Sequence, residues 1–168
     1  IKLNIFKVPS GEITNFPYLN LLGSFKKKII LSTGMSSINE IKKAIYILTN
    51  SGTKRDNISL LHCNTDYPTK PKDLNLLAIE TLKKIFKCQV GLSDHSLGIE
   101  ASIAAVALGS KIIEKHFTLS RKMKGPDHIA SLEPKELSEL VKGIRNIELA
   151  LGKNKKFATK SEKKNIKI

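Results

Sequence analysis

Cysteine is scarce in this chain: Cys63 and Cys88 are the only two. Their spacing matches no zinc motif, and two are too few for a disulfide scaffold. They read as reduced thiols of a cytoplasmic protein. No apolar run approaches the roughly 18 residues that a membrane span needs. The start also lacks the charged segment and long apolar stretch of a signal peptide, so no membrane partner is expected. Arginine is rare as well: Arg55, Arg121 and Arg145 are three among 29 basic residues. Aromatic residues make up only 5%. The net charge of +14 raises the question of nucleic acid, yet nucleic-acid readers cluster their charge and use arginine for bidentate contacts. Here the lysines scatter over helix surfaces and thicken only in the tail. The excess reads as a solvated surface whose field also favours anionic substrates. No nucleic-acid partner is expected.

What is present is enough for a core, since 40% of the 168 residues are apolar, and the length fits one ordinary domain. Five β-rich runs occur, at Leu3–Val8, Lys28–Leu31, Ile58–Cys63, Val90–Leu92 and Lys111–Phe117. They are unbroken apolar stretches more than alternating ones, as expected for strands buried on both faces. The segments between them have helical period and clear punctuation. Pro17 suits a first helical turn after Asn15 and Phe16. Ser37 and Glu40 form a capping box ahead of Ile41, Ala44, Ile45 and Leu48, and Asn50-Ser51-Gly52 stops that helix. Leu76–Phe86 holds another apolar stripe. Ile99–Leu108 is small and apolar nearly all round and ends at Gly109. Pro134 opens a longer helix to Leu151, with Leu137, Leu140, Val141, Ile144, Ile147 and Leu151 on one face. Residues 152–168 are lysine-rich with little periodicity and read as a basic linker or tail. A start at Ile1, not Met, reads as a chain cut from a longer one.

Repeated βα units imply parallel strands with helices outside. An open doubly wound sheet would place its site at one switch point, whereas a barrel gathers side chains from many strand ends at one face. The strand ends discriminate. After the first strand, Lys7, Ser10 and Glu12 bring a cation, a hydroxyl and a carboxylate into one turn beside Gly11, which suits a phosphate or carboxylate; a plain polar loop is the alternative. The second strand runs through Ser32-Thr33-Gly34 into a helix N-terminus, an anion site or ordinary capping chemistry. The third leads through His62-Cys63 into Asn64, Thr65 and Tyr67, with Pro68 stiffening the loop; Cys63 by itself reads as a small buried apolar residue. The fourth ends in Ser93-Asp94-His95-Ser96, and the fifth carries Glu114-Lys115-His116. Neighbouring strands lie about 5 Å apart, so His95 and His116 can reach one ion. Manganese, iron, zinc or magnesium suits such partial ligation. Glu114 and His116 share parity, so both face inward if either does, and inward charge needs a partner or a ligand. Asp127 sits on the stiff Gly125-Pro126 turn, placed to accept hydrogen bonds from substrate hydroxyls or simply to form a turn. Polar groups at the C-terminal end of every strand fit a barrel better than an open sheet.

The strings KVPSGEI, ILSTGM, LLHCNTDYPT, VGLSDHSLGIEASIAAVALGSKIIEKHFTL and GPDHIASLEP closely resemble the sialic acid synthase family, whose members include N-acetylneuraminate, legionaminate and pseudaminate synthases. The resemblance covers nearly the whole chain. It implies an α/β fold: residues 1–151 form the C-terminal portion, about strands four to eight, of a TIM (β/α)8 barrel, and the barrel is incomplete in this chain. Residues 152–168 would then lead toward a C-terminal antifreeze-like domain, which in the family carries an arginine into the partner subunit's site. A homodimer is implied for the complete enzyme. The implied reaction condenses phosphoenolpyruvate with an N-acetylated amino sugar, N-acetylmannosamine in the best-known case, and releases phosphate by C–O cleavage. By motif position, His95 and His116 would hold a divalent metal, Mn²⁺ foremost, with Mg²⁺ or Co²⁺ as alternatives. Lys7, Ser10 and Ser93 match phosphoenolpyruvate contacts, joined by Asn64 or Thr65. Tyr67 and Asp127 match amino-sugar contacts, and Glu12 falls near the reacting carbons. The resemblance ranks neuraminate first, legionaminate second and pseudaminate third; an inactive fragment of such an enzyme is the remaining reading.

Overall fold

The computed structural model describes residues 3–166. The last two residues of the expected tail, Lys167 and Ile168, lie outside the described residues. Within them, β1 (Ile5–Val8), β2 (Lys28–Ser32), β3 (Ile58–Cys63), β4 (Gln89–Asp94) and β5 (Ile113–Lys115) pair in parallel, in the order of the chain. Between and after them run α1 (Phe16–Ser24), α2 (Ile38–Asn50), α3 (Ala78–Phe86), α4 (Glu100–Ala107) and α5 (Pro134–Leu151).

Strand order decides between the two architectures. A doubly wound sheet reverses its order at a switch point; this one never reverses. It also curls. Lys7 on β1 and Glu114 on β5 form an ion pair at 3.2 Å, although they sit on the two outermost strands. Four strand spacings in a flat sheet would hold those backbones roughly 19 Å apart, beyond the joint reach of the two side chains. The sheet is therefore a half-barrel, open between β1 and β5.

Alternation along the strands sorts the residues into two layers. Val8, Ile29, Leu31, Ile58, Leu60, Val90 and Leu92 are buried against the helices, where they meet Leu19, Leu22, Ile41, Leu48 and Ile79 in one core. Each such side chain removed from water stabilises the fold by about 1.5–3 kcal/mol. The opposite, concave layer holds Lys7, Leu61, Cys63, Gly91, Ser93 and Glu114. Here Cys63, Ser93 and Glu114 stand side by side in register.

Helix starts follow the punctuation. Asn15 caps α1 by accepting from the Tyr18 amide. The Ser37–Glu40 capping box is complete on both sides. α3 begins at Ala78, two residues later than its apolar stripe: after Asn75, which takes a positive φ of 45°, Leu76 and Leu77 form a tighter turn in which the Ala78 and Ile79 amides donate to the Asn75 and Leu76 carbonyls. β5 is shorter than the expected Lys111–Phe117. Lys111 and Ile112 still bond β4 through the Val90 carbonyl and Leu92 amide, but Phe117 turns away to bridge Leu132. α5 has the expected span, but of its apolar face only Leu140 is buried. Leu137 and Val141 line an open apolar groove with Phe117 and Pro134.

Candidate active site

Two clusters occupy the C-terminal rim of the half-barrel. The first centres on His95, which directly follows β4, and His116, which directly follows β5. Their rings lie 5.4 Å apart, nearly perpendicular. His95 Nδ1 is 2.6 Å from the Asn64 carbonyl oxygen. A carbonyl only accepts, so Nδ1 carries the hydrogen and Nε2 keeps its lone pair. Burial pulls the His95 pKa below the usual imidazole range, and the neighbouring His116 adds to this, outweighing the Asn64 bond. His95 is therefore neutral at pH 7. Tyr67 lays its ring over His95 at 4.1 Å and meets His116 edge-on at 5.6 Å. Burial pushes the Tyr67 phenol up, with smaller contributions from Cys63, Asp127 and Glu114. The exposed Asp127 carboxylate lies 4.0 Å from His116 Nδ1.

The second cluster joins the ends of β1, β2 and β3. Ser10 Oγ is 3.0 Å from Cys63 Sγ, and the Gly34 amide donates to the same sulfur at 3.2 Å. Gly34 takes a φ of +41°, and any Cβ there would strike Ser10. Thr65 turns its methyl toward the same point. Ser32 Oγ is buried without a partner among the described residues. Between the clusters a polar chain crosses the concave face: Lys7 Nζ pairs with Glu114 Oε2, and Ser93 Oγ donates to Glu114 Oε1 at 2.7 Å.

Most expected site residues meet here: Lys7, Ser10, Thr65, Tyr67, Ser93, His95, His116 and Asp127. Two are engaged elsewhere. The Asn64 amide donates to the Asp73 carbonyl, so its side chain turns toward the following loop while its backbone holds His95. The Glu12 carboxylate accepts from the Asn15 amide at 2.6 Å, in the turn before α1. Glu114 belongs to the site although sequence reasoning went no further than its parity with His116. Cys63 is buried as expected, yet it is also the hub between Ser10 and Gly34. The Asp94–Lys115 ion pair at 2.9 Å, with both side chains buried, was legible only as two opposite charges of matching parity.

The donor set fits a divalent cation: a neutral imidazole nitrogen beside a second imidazole. Among the described residues no group of three or more His, Cys, Asp or Glu side chains converges as a metal cage. As ligands, the two imidazoles would leave the other positions of such an ion open.

The NeuB family model matches residues 1–156. The chain belongs to the NeuB family. It is 57% identical over 99% of its length to an N,N'-diacetyllegionaminic acid synthase of Campylobacter jejuni. It is 43% identical over 90% of its length to the N-acetylneuraminate-9-phosphate synthase of Homo sapiens. These alignments cover 50% and 42% of the two relatives, so the chain spans about half the length of the curated relatives it matches. The crystal structure of an N-acetylneuraminic acid synthetase from Leptospira borgpetersenii superposes with a TM-score of 0.88 at 40% identity, covering 98% of this chain and 56% of that one. The fold is thus a barrel, as the strand ends suggest, and a partial one, as the resemblance implies. No helix among the described residues is long and apolar enough to cross a membrane.

Proposed function

We propose that this NeuB-family chain forms most of the active site of a synthase that condenses phosphoenolpyruvate with an N-acetylated amino sugar. The observation that carries the reading is the meeting of an anion-suited cluster and a two-histidine cluster on one rim, joined by the Lys7–Glu114–Ser93 chain. Lys7 supplies the positive charge that a carboxylate or phosphate requires, and Ser10, Thr65, Ser32 and Ser93 supply hydroxyls around it. His95 and His116 would hold a divalent cation, Mn²⁺ first, which when bound would supply Lewis-acid polarisation of the sugar carbonyl. Tyr67 and Asp127 flank the histidines and face the sugar side, Tyr67 as a ring and hydroxyl, Asp127 as an acceptor. The enol carbon forms the new C–C bond to the aldehyde carbon as the C=O π bond opens. Water adds its oxygen to the former phosphate-bearing carbon, and the C–O bond to phosphate breaks to leave a ketone. The two water protons end on the former aldehyde oxygen and on the released phosphate. Glu12 is the weakest assignment, because its carboxylate is engaged by Asn15.

The sugar is the point where relatives sharpen the reading. Identity of 57% to a diacetyllegionaminic acid synthase against 40% to an N-acetylneuraminic acid synthetase favours a diacetamido sugar over N-acetylmannosamine, reversing the order that the resemblance gave. The basic tail fits a linker to a further domain, and a homodimer fits the family. Phosphate release by the complete protein, with phosphoenolpyruvate, Mn²⁺ and each sugar in turn, tests the proposal. We expect a higher kcat/KM with the diacetamido sugar. Absence of phosphate release with every N-acetylated amino sugar would refute the reaction class.

A further inference from the structure

Directly beneath the two histidines, on the opposite side of the strands, lies a buried polar network almost closed to solvent. Asp94 and Lys115 are register partners at the ends of β4 and β5. Each immediately precedes one of the histidines. Their side chains are 0% and 3% exposed and meet at 2.9 Å. The carboxylate is fully occupied. Asp94 Oδ1 accepts from the Ser96 amide at 2.9 Å and the Ser96 hydroxyl at 2.6 Å, while Oδ2 accepts from Ser102 on α4 at 2.6 Å as well as from Lys115. Lys115 Nζ also donates to the Ser96 carbonyl at 2.7 Å. Ser96 in turn bridges Thr69, whose amide donates to the His95 carbonyl at 2.9 Å. The network therefore clamps the backbone on both sides of His95 and ties it to the residue before His116.

We infer that Asp94 and Lys115, with Ser102, are positioning residues that set the separation and aim of His95 and His116 for one divalent cation. This rests on the assignment of that pair as metal ligands. The strands alone leave the spacing loose. β5 is three residues long and, among the described residues, pairs only with β4. A buried ion pair and a helix-borne hydroxyl fix it at the point where the chain leaves the sheet. Partners that orient metal ligands without touching the ion typically change its affinity by about 10–100-fold when removed.

The test is Mn²⁺ titration of the complete protein, with free ion followed by electron paramagnetic resonance and folding checked by circular dichroism. Lys115→Met is expected to weaken Mn²⁺ binding roughly 10–100-fold and to broaden the bound-ion spectrum. Ser102→Ala, which keeps both charges, is expected to give a smaller loss in the same direction. His95→Ala and His116→Ala serve as references and are expected to remove tight binding. Should both histidine variants bind as before, the metal assignment itself falls. Should they lose binding while folded Lys115→Met stays within about threefold of the unsubstituted protein, the positioning role is overturned. If Lys115→Met does not fold, Ser102→Ala decides: unchanged affinity and spectrum overturn the inference.

Discussion

Removing the Lys115 charge while Asp94 stays in place will destabilise the protein in a way that depends on pH. Lys115→Met keeps the aliphatic stem but leaves a carboxylate that is 0% exposed without its cation. Taking one partner from a buried ion pair costs about 3–5 kcal/mol. The bonds from Ser96 and Ser102 survive, so the lower end, about 3 kcal/mol, applies. With a urea slope of about 2 kcal/mol per M, the midpoint falls by about 1.5 M. Burial alone would raise the Asp94 pKa, but the bonds from Ser102, Ser96 and Lys115 together hold it below its ordinary value. A depressed acid contributes stability above its unfolded pKa, about 3.9, and loses it as pH falls through the folded pKa. Without Lys115, two of the influences that hold the Asp94 pKa down are lost while those of Ser102 and Ser96 remain. The carboxylate then takes up a proton more readily, so acidification from pH 7 toward 4.5 narrows the gap to the unsubstituted protein. The double variant Asp94→Asn/Lys115→Met buries no lone charge and should be more stable than Lys115→Met alone. Urea unfolding followed by circular dichroism at both pH values measures all of this. A Lys115→Met variant within about 0.5 kcal/mol of the parent, or a double variant equal to the sum of the singles, would refute the reasoning.

Two further substitutions separate packing from chemistry. Gly91→Ala adds a Cβ that meets the Ile112 carbonyl oxygen and comes within 2.7 Å of Leu61 Cδ2. That carbonyl bonds the Leu92 amide and cannot retreat without parting β4 from β5, so a loss of about 2–3 kcal/mol in urea unfolding is expected; an unchanged midpoint would contradict the packing. Tyr67→Phe keeps the ring over His95 and removes only the hydroxyl. The KM for the amino sugar should rise roughly threefold to tenfold, as one hydrogen bond is lost, with Mn²⁺ affinity unchanged; an unaltered KM removes Tyr67 from the sugar contacts.

The barrel was legible because repeated βα units with polar groups at every strand end fit few other architectures. The runs at Lys28–Leu31 and Ile58–Cys63 needed almost no adjustment, and the Ser37–Glu40 box marked its helix to the residue. Lys111–Phe117 was overextended because β-propensity cannot see where a partner strand ends. Phe117 is as apolar as a strand residue, but it bridges Leu132 instead. The α5 stripe was correctly helical, yet whether a stripe is covered depends on what packs against it. At the site, residue types and parity foretold the histidine pair and the inward Glu114. They could not choose between Asn64 and Thr65. Adjacent residues leave a strand end in different directions, and only the Asp73 carbonyl and the Gly34 turn show which way each goes.

The Lys7–Glu114 pair links the curvature of the sheet to its chemistry. It is made because β1 and β5 face each other across the open barrel, yet both side chains are about one-third or more exposed, at 33% and 41%. A pair so placed is worth only about 0–1 kcal/mol. An arriving carboxylate or phosphate can therefore take the Lys7 charge at little cost, exchanging one charge-assisted bond for another. Asp94–Lys115 is the opposite case: it is buried, its carboxylate is saturated, and no ligand can reach it. Two ion pairs on neighbouring layers of one half-barrel thus divide the work. In the proposed function the exposed one would yield its cation to substrate, and the buried one would hold the strands that carry the histidines.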